Sequence, residues 1–532
     1  MDRDLPRLDA LLDPWRAAHG DAVVFVEEDG GTVTIRHFDA LVAATEAWLL
    51  QAGIKPGDRV AVWLPNRIEW LALLFALARV GATLVAVNTR YRSAELTHIL
   101  TASGARLLIM QPGFRRIDFR TVVAGIDPAG LPDLKAVAIL SDTGETLERV
   151  LDRPTVPFRP VTEAPPPGPD TTSDPAAPLV LFTTSGTTKA PKLVVHPQHT
   201  LARHSLRAAH AYGFDVEGSG FLTAMPFCGV FGLNGVLAAL AGRARIHLSA
   251  LFDAADAAAR VEQHRITHLI GSDEMFRRLI ECGADRLAST RLCGFASFTP
   301  GLGDLLRKAA ERGLPLAGLY GSSEINAIFA IQPMSLPPED RLKGGGRPAS
   351  GGAADVRVRD METGALLPPF ETGELEVRAP TNFTGYYNNP DATREAVDPE
   401  GFFRTGDVGY VRDDGTFVYV ARRGDAIRLA GFLVDPAEIE DALKTIDGVD
   451  DAQVVGVEQD GGTRPVAFVI PDGQTPFEER RVIDAAADIL AAFKVPIRVL
   501  PIDAFPIAQS ANGPKIQRVK LRQMAAECVA QE

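Results

Sequence analysis

The chain has 532 residues, 46% of them hydrophobic and 23% charged, with a formal net charge of −13. That length exceeds a single core and asks for several domains, while the acidic balance argues against nucleic acid or an anionic membrane, partners that call for a basic stripe. Four scattered cysteines (Cys228, Cys282, Cys293 and Cys528) form no C-x-x-C pair. They give neither a zinc pattern nor a disulfide framework and suit a reducing cytosol.

The opening segment, MDRDLPRLDALLDPW, is acid-rich and lacks the continuous apolar core of a secretory signal, so a cytoplasmic location is expected. Helix-like and strand-like stretches then alternate for some three hundred residues: TIRHFDALVAATEAWLLQAG before RVAVWLP, and WLALLFALARVG before ATLVAVN. Such alternation predicts a parallel sheet covered by helices. Arg79 and Gly81 divide the apolar run Trp70 to Val87, so it reads as a buried helix turning into a buried strand rather than a membrane span. Pro160 to Pro178 is Pro-rich and polar, a surface linker.

That linker delivers the chain into LFTTSGTTKAPKLVVH (Leu181 to His196). Leu179–Phe182 reads as a strand and Thr183–Lys192 as a loop. Gly186 permits close backbone approach, the hydroxyls of Thr184, Ser185, Thr187 and Thr188 can donate to phosphate oxygens, and Lys192 adds positive charge. No G-K-[ST] closes the loop as in a Walker sequence. Alone it reads equally as a phosphate cradle or as a polar surface loop.

Further along, GLYGSSE (Gly318 to Glu324) puts a strand end, a tight turn, two hydroxyls and a carboxylate together. Glu324 suits Mg²⁺, which binds phosphate-rich substrates through one or two carboxylates, and Ser323 can reach a phosphate. From about Lys343 the texture changes to short alternating runs separated by glycines, as in antiparallel hairpins. There, GFFRTGDVGYVRDDG holds Asp407, either an acceptor for ribose hydroxyls or an ordinary turn aspartate. After Gly424 the chain alternates on a small scale, with PAEIEDALKTIDGV helical and DAQVVGVEQDGGTRPVAFVI a hairpin, in a tail of about a hundred residues. In NGPKIQRVKLR, Lys515 follows a Gly-Pro turn, a setting in which a lysine is normally just solvated.

Taken in order with GYYNNPDAT (Gly385 to Thr393), FRTGD and RLAGFLVDPAEIE, these segments resemble the adenylate-forming superfamily of acyl-CoA synthetases, stand-alone adenylation domains and luciferases, from about residue 20 to 522. The resemblance implies an α/β fold. A large N-terminal domain (1–423) of stacked αβα-layered sheets with a β-barrel-like subdomain would bind ATP and acid. A small mobile α+β C-terminal domain (424–532) would carry the catalytic lysine.

The implied reaction is attack of a carboxylate on the α-phosphorus of ATP with Mg²⁺, giving an acyl-adenylate and pyrophosphate, then a thioester with CoA. Thr184 to Thr188 with Lys192 would hold the β- and γ-phosphates, Ser323 the α-phosphate and Glu324 the Mg²⁺. Gly318, Leu319 and Tyr320 would flank adenine, Asp407 and Arg422 would hold the ribose, and Lys515 would bridge carboxylate and α-phosphate. Gly424 falls at the family's pivot, where most relatives carry Asp or Lys. Lys189 and Leu193 stand where the family usually has glycine.

The acid-binding segment implied by the resemblance is TAMPFCGVFGLNGVLAAL (Thr223 to Leu240). It holds no Asp or Glu to pair with an ammonium, which argues against an amino acid. Gly229, after Cys228, stands where relatives often have histidine, so a wide pocket is expected, lined by Phe227, Phe231, Leu233, Ala296 and Ile325. Leu233 reads as well as plain core. PFCGVFG and NGPKIQRVKLR are most similar to ligases of alicyclic acids such as cyclohexanecarboxylate, and a terpenoid-type acid in biosynthesis fits. Two other outcomes stay open: an adenylation-only enzyme passing its product to a partner or carrier, and an inactive nucleotide-binding protein. Monomer and homodimer are both open.

Overall fold

The helix Ile68–Val80 is apolar on every side, and all its residues but Glu69 and Arg79 are buried. Such a helix needs protein on all its faces. It ends at Gly81, whose φ of 76° is the left-handed cap that glycine adopts freely, and the chain enters the wholly buried strand Thr83–Ala86. The expected helix-to-strand reading of the run is what forms. Among the described residues no helix is long and apolar enough to cross a membrane.

The computed structural model describes residues 5–17, 21–115, 117–161, 173–184, 191–297, 303–423, 427–429, 432–434, 436–459, 462–510 and 513–530. Within them, one sheet of nine strands runs from Gly385–Tyr386 through Leu193–Pro197, Pro178–Thr183, Thr83–Ala86, Arg59–Trp63 and Leu107–Met110 to Ala136–Ile139 and two further strands. Its interior pairs are parallel. The Gly385–Tyr386 end is antiparallel.

A second sheet of thirteen strands has a parallel block, Gly220–Leu222, His268–Ser272, Leu292–Ala296 and Leu316–Tyr320. It continues through Ala330–Ile331 and Gly345–Pro348 into an antiparallel run of Phe417–Arg422, Phe403–Val411, Gly373–Arg378 and Asp355–Arg359. The change of texture near Lys343 in the sequence is this change from parallel to antiparallel pairing. The main apolar core joins Trp70 and Phe75 of the buried helix to Phe221, Phe227 and Leu237.

Past residue 424 the chain builds its own core. Ile427, Leu443, Val454, Val482 and Val499 form one cluster, and Val466, Phe468, Leu521 and Ala525 another. Around them lie the hairpin Val449–Gln459 and Gly462–Pro471, the parallel strand Arg498–Pro501, and the helices Pro436–Leu443, Glu479–Ile489 and Arg518–Ala530. The large N-terminal and small C-terminal domains are thus each organised on their own apolar residues.

Candidate active site

Parallel strands leave their C-terminal ends as the natural place for a ligand, and the predicted residues collect there. Pro178–Thr183 ends where the hydroxyl-rich segment before Lys192 begins. The loop is clasped at its base: the Thr184 N–H donates to the Lys192 carbonyl at 3.0 Å, and the Lys192 N–H to Thr184 Oγ1 at 3.1 Å. The Tyr91 phenol donates to Thr183 Oγ1 at 2.8 Å. Burial pushes that phenol up to about 12, so it stays a donor. The Lys192 ammonium lies 4.5 Å from the centroid of the Tyr386 ring. The expected phosphate contacts Ser185, Gly186, Thr187 and Thr188 lie outside the described residues, as does the pivot Gly424.

The strand Leu316–Tyr320 brings Gly318, Leu319 and Tyr320 to the same end, followed by the short turn Ser323–Ile325. A side chain on Gly321 would put its Cβ 1.7 Å from the Ala327 carbonyl oxygen, so only glycine lets the turn fold back there. The Ser323 carbonyl accepts from His196 Nε2 at 2.7 Å, the Glu324 carbonyl accepts from the Phe383 N–H at 2.7 Å, and Glu324 Oε1 accepts from the Tyr386 hydroxyl at 2.9 Å. Burial holds His196 neutral, down to about 4. Burial, then the Glu324 charge, raises the Tyr386 phenol.

Asp407 is buried and held on both oxygens. Tyr320 donates to Oδ2 and Arg422 Nη1 to Oδ1, each at 2.7 Å, and Arg422 also reaches the Thr405 carbonyl at 3.0 Å. Burial raises the Asp407 carboxyl against the opposing pull of Arg422. The Tyr320 ring packs edge-on against Phe417, 5.1 Å between centroids, and 5.8 Å from Tyr419, which sets a cluster of aromatic rings beside a buried carboxylate.

On the other side the residues are apolar and buried. Gly229 caps the helix Val230–Ala241, and a side chain on Gly232 would meet the Pro226 carbonyl oxygen at 2.3 Å, so the helix start is pressed onto the preceding loop. Asn66 pins that loop, accepting from the Phe227 N–H at 2.7 Å and donating to the Met225 and Ser249 carbonyls. Phe227, Cys228, Phe231, Leu233 and Ile325 share one buried cluster, with Ala296 packed against it; Leu233 and Ile325 expose nothing. Burial pushes the Cys228 thiol up to about 11, so it is a small neutral group. Asn234 on the same helix donates to the Asn326 carbonyl at 3.0 Å, and Asn326 in turn to the Thr381 carbonyl at 2.7 Å. The helix Val230–Ala241 is thereby tied to the Glu324 turn.

The structure therefore brings Thr184, Lys192, Ser323, Glu324, Tyr320, Asp407 and Arg422 to one cleft edge. The Lys515 backbone sits in the strand Gly513–Ile516, paired with Ile507–Ser510; its side chain lies outside the described residues. Tyr386, His196, Asn66 and Asn326 carry contacts that sequence reasoning did not assign. Of these, Tyr386 and His196 fall inside the motifs GYYNNPDAT and LFTTSGTTKAPKLVVH.

A buried acid beside aromatic rings, and a carboxylate and a lysine brought to one tyrosine, suit an enzyme that adenylates. The comparisons agree. The model "AMP-binding enzyme" matches residues 12–387 and "AMP-binding enzyme C-terminal domain" residues 438–512. A 3-[(3aS,4S,7aS)-7a-methyl-1,5-dioxo-octahydro-1H-inden-4-yl]propanoyl:CoA ligase of Mycobacterium tuberculosis (strain ATCC 25618 / H37Rv) is 32% identical over 98% of this chain and 100% of its own. A 2-succinylbenzoate–CoA ligase of Geobacillus kaustophilus (strain HTA426) is 30% identical over 88% and 89%. ATP-bound MatB from Rhodopseudomonas palustris shares the fold with a TM-score of 0.80 at 24% identity, over 98% and 99% of the two chains. The chain belongs to the AMP-binding enzyme family, the adenylate-forming superfamily. It is an AMP-forming acyl-CoA synthetase whose substrates are a carboxylic acid, ATP and CoA, working through the family's adenylate and thioester steps.

Proposed function

We propose that the acid is bulky, apolar and ring-bearing, alicyclic or terpenoid-like. One observation carries this: Thr223 to Leu240 offers Phe227 and Phe231 with a helix that is apolar but for Asn234, and no carboxylate. A buried ammonium there would go unpaired, at a cost of several kcal/mol, whereas a ring stabilises itself by burying apolar area. The name of the mycobacterial relative, which describes a methyl-octahydroindene-dione propanoate, supports the same class.

On this reading Lys192, with the Thr184 loop, holds the β- and γ-phosphates. Ser323 contacts the α-phosphate, Asp407 accepts the ribose hydroxyls beside Arg422, and Gly318 to Tyr320 flank adenine. An anion must attack a polyanion, so the catalytic effect is placement and charge stabilisation. Lys515 supplies the decisive positive charge between carboxylate and α-phosphate. The distinct cores before and after residue 424 support a division into 1–423 and 424–532, the smaller unit swinging about Gly424 between half-reactions. The enzyme works in the cytoplasm.

Glu324 fits Mg²⁺. One oxygen takes the Tyr386 hydrogen bond, and the other has no partner among the described residues. No group of three or more His, Cys, Asp or Glu there could hold a metal, the pattern of an ion that keeps its waters and leans on substrate phosphates. When bound, Mg²⁺ neutralises charge on the leaving diphosphate.

The test is a panel of carboxylic acids followed by pyrophosphate release, with CoA esters identified chromatographically. Fused-ring and cyclohexane-type acids are expected to lead. Faster turnover of amino acids or acetate would remove the proposal.

A further inference from the structure

Lys192 and Glu324 carry opposite charges close to one side chain, and the simplest thing two such groups do is pair. They do not. Among the described residues Lys192 makes no ion pair within 4 Å. Its ammonium faces a ring instead, that of Tyr386, at 4.5 Å from the centroid. The same ring's hydroxyl donates to Glu324 Oε1 at 2.9 Å. One side chain thus touches both groups, in two ways that neutralise neither. A ring face attracts a cation without giving it a counter-charge, and a phenol donates to a carboxylate while leaving its second oxygen open.

The ring is firmly placed. Tyr386 pairs with Val194 across the edge of the nine-stranded sheet, next to the Lys192 loop. Its N–H donates to Thr393 Oγ1 at 2.9 Å, and the Tyr387 N–H to the Leu193 carbonyl at 2.8 Å. Phe383, three residues earlier, packs on it at 5.1 Å and sends its own N–H to the Glu324 carbonyl at 2.7 Å. The short strand therefore holds the phenol against the element bearing the lysine and the turn bearing the carboxylate at once.

We propose that Tyr386 is a positioning residue for adenylation: it keeps the Glu324 carboxylate and the Lys192 ammonium apart and both aimed at one incoming triphosphate. The inference rests on the roles given to Lys192 and Glu324 under Proposed function. Its two contacts are separable. Tyr386→Phe removes the hydroxyl and keeps the face that Lys192 rests on; Tyr386→Leu removes both.

The experiment titrates Mn²⁺ into purified enzyme with ATP, following free Mn²⁺ by electron paramagnetic resonance. In parallel, ATP–pyrophosphate exchange gives the Mg²⁺ half-saturation and the KM for ATP, with thermal melts confirming folding. Tyr386→Phe is expected to weaken Mn²⁺ and raise the Mg²⁺ half-saturation by about threefold to tenfold, the scale of one hydrogen bond, with the KM for ATP nearly unchanged. Tyr386→Leu is expected to raise the KM for ATP as well. Metal affinity in Tyr386→Phe equal to that of the natural enzyme overturns the inference. Glu324→Gln separates the two levels: if it too leaves Mn²⁺ binding and exchange untouched, the role given to Glu324 fails, and the positioning role with it.

Discussion

The two halves of the cleft are built on opposite terms. On the side proposed for the nucleotide the groups are tied by directed bonds: Asp407 between Tyr320 and Arg422, the Ser323 carbonyl on His196, Glu324 on Tyr386. On the acid side Phe227, Phe231, Leu233 and Ile325 meet only by packing, and the directed bonds, those of Asn66 and Asn234, serve the backbone behind them. On the proposed assignment, one half would select by charge and hydrogen-bond geometry, the other by volume. A shared nucleotide chemistry and a changeable acid are compatible for this reason: apolar walls can be reshaped without disturbing a single polar contact.

Substitutions can break this contrast or sharpen it. The largest effect is expected from Lys515→Ala, which removes a charge needed only in the transition state: adenylation should fall about a thousandfold or more while ATP binding by calorimetry stays nearly intact. Unchanged pyrophosphate exchange would remove Lys515 from the mechanism. Next is Asp407→Asn, expected to raise the KM for ATP by about tenfold to a hundredfold, since a charge-assisted pair with the ribose is lost, and to leave the ranking of acids as it was. A shifted acid ranking would mean the two halves are not independent.

Gly229→His should act in the mirror sense. Filling the entrance costs about 1–3 kcal/mol for a bulky acid, read as a tenfold or greater drop in kcat/KM for fused-ring acids with the KM for ATP constant. A separate effect, on stability rather than on turnover, concerns the frame beneath both halves. Burial holds His204 and His247 at about 3 and His268 at about 4, well below the ordinary 6.5. They are neutral in the fold and take up protons on unfolding, so their contribution is complete above pH 6.5 and is lost as the pH falls towards 4. Each should steepen the decline by up to about 1.4 kcal/mol per pH unit, measurable by urea denaturation between about pH 4.5 and 7.5.

The polar half was the more legible in sequence, because its residues announce their chemistry by type and stand beside turn-forming glycines: Glu324 after Gly321, Asp407 after Gly406. Hydroxyl-rich Thr183–Lys192 stood out for the same reason. What stayed hidden were the groups that aim these residues. Tyr386 reaches Glu324 across 62 residues and His196 reaches Ser323 across 127; no local pattern encodes a partner so remote. The acid side was legible only as apolar, since Leu233 in a core and Leu233 near a pocket read the same in a linear string. The helix-then-strand run at Trp70 to Val87 was easily read because its periodicity and its glycine stop are both local.

The clasp between Thr184 and Lys192 has an evolutionary consequence. Two bonds seal the loop where it leaves the sheet, and Tyr91 moors the strand end just before it. Residues inside such a seal can mutate without loosening the strands on either side, which leaves their identity open to selection on turnover rather than on foldedness.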